Sequence, residues 1–226
     1  LNSLGKHTER LAGNNRFETS EYVAEVFFGM SADTVVVASG DDFPDGLVGG
    51  PLSACMGVPL LLINDRNVGV AAAYTSFSVT EHIVALGGKS LISDRAIDSL
   101  RPMSLKVLNL VNKERNANGL ASLKIDKEVN VVAQIKAVDM AYNGYFDHVS
   151  PTYGDPFEML KNFGIQFMTA GENIAAGQWT PEQVMDSWMN SPGHRANILD
   201  PAFTHIGIGY TIDNRGVPFW TQMFIG

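Results

Sequence analysis

SWMNSPGHRANIL, residues 187–199, places a tryptophan, a turn signal and one of the chain's five histidines within a dozen or so positions. Ser191-Pro192 is the usual pairing of a helix N-cap with a first helical residue, so a short helix is expected to begin there. Gly193 removes side-chain bulk beside the His194 imidazole. On this stretch alone the plain reading is a short helix whose histidine faces solvent. The sharper reading is a working imidazole, and the rest of the chain has to decide between them.

Just upstream, TPEQVMDSWMN (180–190) starts with a capping-box pattern, Thr180 to Gln183, with Pro181 at the first helical position. Downstream, HIGIGYTI (205–212) and VPFWTQMFI (217–225) read as two strands joined by the turn DNRG. Earlier come a helix over LKVLNLVNKERNANG (105–119) and a longer one over IDKEVNVVAQIKAVDMAYNG (125–144). The second has Val129, Val132, Ala133, Ala137 and Met140 on one face, and each ends at a glycine. Helices first and strands last make this half α+β.

The first hundred residues follow another pattern. FETSEYVAEVFF (17–28) has apolar residues at helical spacing, and TVVVAS, VPLLLI and HIVALGG are short apolar strands without polar alternation. PDGLVGGPLSACMG is a small-residue helix broken or started around Pro51, residues 65–81 are loose, and SDRAIDSL is a helix capped by Ser93. Unalternating strands between helices argue for a parallel sheet covered on both faces. Pro102 in RPMS marks the junction, giving two domains, 1–102 (α/β) and 103–226 (α+β).

Composition bounds the function. Net charge is -8, with seven basic against twelve acidic residues before 103 and nine against twelve after it, so neither half has the basic field of a nucleic-acid binder. GGKS (87–90) imitates the end of a phosphate-binding loop, but Ile83 stands where that loop needs its first glycine. A single cysteine, Cys55, excludes an internal disulfide or a cysteine-based zinc site. No apolar run reaches the roughly 18–20 residues that cross a bilayer, and LNSLGKHTER lacks the apolar core of a signal peptide.

Three stretches are too polar for their apolar settings: YFDHVSP, GENIAAG and SPGHRANIL. They supply His148, Glu172 and His194. If the fold gathers them, two imidazoles and a carboxylate could hold a divalent ion with a position left for water. Alternatively, Glu172 stays off the ion and acts as a general base toward that water. Asp147 is a candidate to orient an imidazole from behind. Spacing alone leaves these alternatives open.

HVSP, GENIA and SW-x-NSPGHR-x-NIL, in this order and with VLNLVNKER-x-x-x-GL-x-x-L ahead of them, resemble the CAP (SCP-like) superfamily of secreted proteins over roughly residues 105–226. The resemblance implies an α-β-α sandwich with a surface cleft, with His148 and His194 as the cleft histidines and Glu172 as the cleft glutamate. In many members the two histidines bind a divalent cation, which makes zinc the expected cofactor. Many members also carry a second cleft glutamate three residues after the tryptophan, where this chain has Ser191, and Glu182 does not match that position. Asn190, Ser191 and Asn197 are the expected polar lining. The incomplete acid set favours a binding cleft for a small, peptide or lipid ligand over a metal-dependent hydrolase acting on peptide or wall material.

RLAGNNRFETS, ASGDDFPDGL, GVPLLLIND and VALGGKSLIS are similar to the cell-wall-binding repeat of clostridial surface proteins, over about residues 9–100. That resemblance implies an extracellular, wall-associated protein of a Gram-positive bacterium, bound noncovalently to an anionic wall polymer. It places polymer contacts at Pro59, Leu60, Leu61 and Leu62, which any buried strand would equally show. Because this half is itself acidic, attraction falls to local arginines, with Arg10, Arg16 and Arg66 the candidates. Only one repeat is visible, so avidity would come from a homo-oligomer or from further repeats.

Overall fold

A computed structural model describes residues 10–226; the opening LNSLGKHTE, on which the signal-peptide reading rests, lies outside the described residues. The chain divides into two compact units between Pro102 and Met103.

In the first unit the elements run α1 (Arg16–Phe28), β1 (Thr34–Ser39), α2 (Phe43–Met56), β2 (Leu60–Ile63), α3 (Gly69–Ser78), β3 (His82–Leu86) and α4 (Asp94–Ser99). The three strands are parallel in the order β2-β1-β3. Val35, Val37, Leu61 and Ile63 pack against Ala24 of α1, Ala71 and Tyr74 of α3, and Ala96 of α4. On the other face α2 comes close because Gly49 leaves room for Leu60 and Leu86; a Cβ there would lie 3.0 Å from Leu60.

Two expectations fail here. The loose stretch contains α3, whose Ala, Ser and Thr residues form no clear apolar stripe and which has no side-chain N-cap. Tertiary contacts hold it, with the Tyr74 hydroxyl donating to the Gly29 carbonyl at 2.8 Å and Thr75 Oγ1 to the Leu100 carbonyl at 2.6 Å. Pro51 neither breaks nor starts α2, which runs through it from an Asp42 N-cap to the left-handed Gly57.

The second unit contains α5 (Met103–Ala117), β4 (Lys124–Ile125), α6 (Lys127–Asn143), α7 (Pro156–Asn162), β5 (Ala170–Ala176), α8 (Pro181–Met189), α9 (Pro192–Ile198), β6 (His205–Ile212) and β7 (Pro218–Ile225). The sheet order is β4-β6-β7-β5. β7 is antiparallel to both neighbours, and β4 is parallel to β6. Helices cover both faces. Trp220 and Phe224 point toward Val107 and Val111 of α5 and Val184 and Trp188 of α8. Met223 and Ile225 point toward Val129, Val132 and Ala133 of α6 and Leu160 of α7. Every residue of β7 is therefore buried, and its sequence does not alternate.

The α6 helix sits unusually close to β6. A Cβ on Gly207 would lie 2.3 Å from the Val129 carbonyl, and one on Gly209 would lie 2.1 Å from that of Ala133. That closeness lets two α6 amides complete the β6 backbone. Asn130 Oδ1 accepts from the Ile208 N–H at 2.9 Å, and Gln134 bonds both N–H and carbonyl of Tyr210.

Candidate functional site

Glu172 and Asn173 are neighbours on β5, the outer strand of the sheet, and consecutive strand residues face opposite ways. Each serves one histidine. Glu172 Oε1 lies 2.7 Å from His148 Nδ1. Asn173 Nδ2 donates to the His194 carbonyl at 3.1 Å and to Gln222 Oε1 at 3.0 Å. Two carbonyls of β5 are taken by helix side chains, that of Glu172 by Asn197 Nδ2 at 3.1 Å and that of Ile174 by Trp188 Nε1 at 3.2 Å. Asn197 also donates to Asn173 Oδ1 at 2.9 Å. The SW-x-NSPGHR-x-N pattern thus docks α8 and α9 on the strand that carries the glutamate.

His148 comes from the loop after α6. Gly144 ends that helix in the left-handed region, at φ 68°. Asp139 then gathers the loop, accepting from Tyr145 Oη, from Ser150 Oγ at 2.7 Å and from Thr152 Oγ1 at 3.0 Å. One turn earlier Lys136, wholly buried, donates from Nζ to the carbonyls of Asp147 at 2.8 Å and His148 at 2.7 Å. On the far side Arg115, also buried, donates to the carbonyls of Ile198 and Asp200 and so holds the end of α9.

Electrostatics separate the three groups. Burial pushes the Glu172 carboxyl up, while its hydrogen bond to His148 and the charge of Lys136 pull it back. The same bond to Glu172 raises His148 above the ordinary histidine value. Burial, and then the charge of His148, lower His194. When Glu172 is ionised it only accepts, which puts the proton of the pair on Nδ1 and leaves His148 Nε2 for other partners. The exposed member of the pair is the imidazole: its side chain is 52% exposed against 2% for Glu172. Glu172 Oε2 has no hydrogen-bond partner among the described residues.

Several expected residues have different jobs. Ser191 occupies the N-cap position of α9 without a capping bond from its side chain. Asn190 donates to Asp186 on its own helix, and Asp147 accepts from the Val149 N–H, so Glu172 and not Asp147 orients the imidazole. Gln183 closes its box on the Trp179 N–H instead of that of Thr180. Among the described residues no three His, Cys, Asp or Glu side chains form a metal-holding group. A hollow of about 530 Å³ in this unit lies elsewhere, beside Tyr142, Ile212 and Arg215.

Sequence reasoning passed over Lys136, Asp139 and Asn173. Lys136 had a readable signal. It stands on the same helical stripe as Val129, Val132, Ala133 and Met140, where a lysine is expected only with a dedicated partner.

In the first unit, Arg16, Leu60 and Leu62 line one hollow of about 800 Å³ between α1 and α2, with Phe43 and Leu47 at α2. Pro59 and Leu61 are buried and do not line the hollow, and Leu61 packs in the core on the opposite face of β2. Strand alternation separates Leu61 from Leu60 and Leu62. Arg10 and Arg66 are exposed and lie outside the hollow.

Comparison with known proteins finds a family match in each unit. Residues 10–97 match the model of cell wall binding domain 2. An uncharacterized protein of Bacillus subtilis (strain 168), YkwD, is 51% identical over 142 residues, and the uncharacterized membrane protein YlbC of the same organism is 36% identical over 135. These alignments take in 63% and 59% of this chain and span 54% and 38% of the two relatives' own lengths. An extracellular protein containing an SCP domain from Bacillus anthracis str. Ames has a crystal structure that superposes with TM-score 0.52 at 32% identity, covering 59% of this chain and 44% of that one. An outer surface protein from Borrelia burgdorferi shares the fold, at TM-score 0.50 and 20% identity, over 53% of this chain and 88% of its own. With the family model matching residues 108–224, and with β5, α8 and α9 assembled around Glu172 and His194, the chain belongs to the cysteine-rich secretory protein (CAP) family.

Proposed function

We propose that this is an exported, wall-attached protein whose first unit holds an anionic wall polymer and whose second presents a His148–Glu172–His194 cleft to a small, peptide or lipid ligand. The observation that carries the reading is the union in one chain of a wall-binding module and a CAP module. The shared hollow of Arg16, Leu60 and Leu62 supports the polymer role, with a guanidinium for anionic groups beside an apolar wall. The Bacillus anthracis relative is described as extracellular, which supports the same location here.

A divalent ion such as zinc would be held by His148 Nε2 and the His194 imidazole. The donor chemistry fits: Glu172 faces His148 Nδ1 and leaves Nε2, and the depressed His194 stays neutral, while the raised His148 must release a proton before it can ligate. Two imidazoles are one protein ligand fewer than catalytic zinc sites use, so water or the ligand would complete the shell. The ion would supply Lewis-acid polarisation of a ligand oxygen.

Hydrolysis with Glu172 as base is the second reading, drawn from its raised carboxyl and unpartnered Oε2. A general base must reach the proton it takes, and a side chain 2% exposed behind an imidazole is poorly placed for that. Binding is the better-supported role. Calorimetric titration of the full chain with zinc tests it. Wild type should bind, and the variant carrying both His148→Ala and His194→Ala should lose at least about tenfold in affinity, in line with lost ligands. Equal binding by both proteins removes the ion from the account.

A further inference from the structure

The α6 helix contains a charge that the fold has no packing reason to keep. Lys136 is completely buried on a face it shares with Val129, Val132, Ala133, Ala137 and Met140, and with the polar Asn130 and Asp139. An ammonium in such a place is costly unless all its protons are engaged, and these are. Two go to consecutive backbone carbonyls, Asp147 and His148, and the third direction meets the Tyr145 hydroxyl at 3.3 Å. The ammonium also stands over the Tyr145 ring, 5.1 Å from its centre. Its charge lies in the field of Glu172, Asp139 and Asp147.

The two carbonyls it grips flank the Cα of His148, one on either side. A loop residue held at both adjoining peptides cannot rotate its φ and ψ freely, and the imidazole direction follows the backbone. The neighbouring Asp139 grips the loop again at Ser150 and Thr152, so α6 mounts the His148 segment at two points. Glu172 meets His148 Nδ1 from β5, a different element. Their 2.7 Å contact therefore depends on the loop being presented at the right height and angle.

We propose that Lys136 is the positioning residue of the site, a buried clamp that holds the His148 backbone so that Nδ1 meets Glu172 and Nε2 is left outward. The inference goes beyond the proposed cleft function and does not need the cleft to bind anything, because its readout is the state of one imidazole in the unliganded protein.

Long-range ¹H–¹⁵N spectra of the full chain, with His148 assigned through His148→Gln, report which ring nitrogen carries the proton. At a pH above the raised His148 value, wild type should show a single neutral Nδ1–H form with a slowly exchanging, downfield ring proton. Lys136→Met should lose that proton signal and move to a mixture of ring tautomers, while sheet amides in β6 and β7 keep their shifts. Lys136→Arg, which can still donate to two carbonyls, should restore most of the Nδ1–H signal. A folded Lys136→Met protein whose His148 remains wholly Nδ1–H overturns the proposal. If Lys136→Met does not fold, the wild type decides. Its Lys136 ammonium should be visible as a slowly exchanging group with couplings across the hydrogen bonds to the Asp147 and His148 carbonyl carbons. A rapidly exchanging ammonium without those couplings overturns the proposal as well.

Discussion

His148 and His194 are pulled in opposite directions from the ordinary histidine value of 6.5. Glu172 raises His148 through a direct hydrogen bond; burial lowers His194, and the charge on His148 adds to that. Near 6.5 the first should be mostly charged and the second mostly neutral. The folded protein holds the His148 proton more firmly than the unfolded chain, so its stabilising contribution is present below 6.5 and is lost as pH rises through the raised value. For His194 the sign reverses: a cost sets in as pH falls below 6.5 and grows until the lowered value is passed. Imidazole shifts followed by NMR should give two midpoints on opposite sides of 6.5, with Glu172→Gln bringing His148 back toward it. Coincident midpoints contradict the electrostatic picture. His148, Glu172 and His194 were legible as residue types out of place in apolar stretches. Asn173 was not, because an asparagine beside a glutamate carries no sign of which face each will take.

Among the elements, α6 decides where the site stands, and two glycines of β6 decide where α6 stands. Gly207 and Gly209 read in the sequence only as small residues alternating with isoleucine and tyrosine, a pattern that foretells the strand. It does not foretell that a helix backbone lies within contact distance. Gly209→Ala would drive a methyl toward the Ala133 carbonyl, 2.1 Å away, and a helix backbone cannot yield as a side-chain tip can. The expected cost is about 3 kcal/mol, the upper end of ordinary overpacking. Urea unfolding should show it, and because α6 carries Lys136 and Asp139, signals of the His148 loop should move too. An unchanged midpoint with an unchanged loop would show that α6 is not seated as described. The terminal hairpin, α5, α6 and α8 were legible from periodicity and caps. β5 was not, because its GENIAA core mixes a buried carboxylate and amide with small residues, and its strand identity comes from pairing with β7. α3 was missed for a related reason: its small residues become a helix only once Tyr74 and Thr75 find Gly29 and Leu100.

At the level of the whole molecule, the chain folds as two units with separate cores, and the proposed function assigns each its own task. The CAP unit holds together without a single cysteine, since Cys55 lies in the first unit. Its sheet is instead sealed by side chains, with Asn130 and Gln134 on β6 and Trp188 and Asn197 on β5. The first unit is acidic overall, so on the proposed reading attraction to an anionic polymer would rest on Arg16 beside Leu60 and Leu62 and not on net charge. Contacts of that kind are screened over a Debye length of about 8 Å at physiological ionic strength. Sedimentation with purified Gram-positive cell walls tests this division of labour most directly. Fragments 1–102 and 103–226, the full chain and its Arg16→Ala variant are compared across a salt series, with walls stripped of anionic polymers as the control. The account predicts that the full chain and fragment 1–102 pellet with intact walls, more weakly as salt rises and more weakly in Arg16→Ala, while fragment 103–226 stays in solution. Equal retention on stripped walls, or pelleting carried by 103–226 alone, would contradict it.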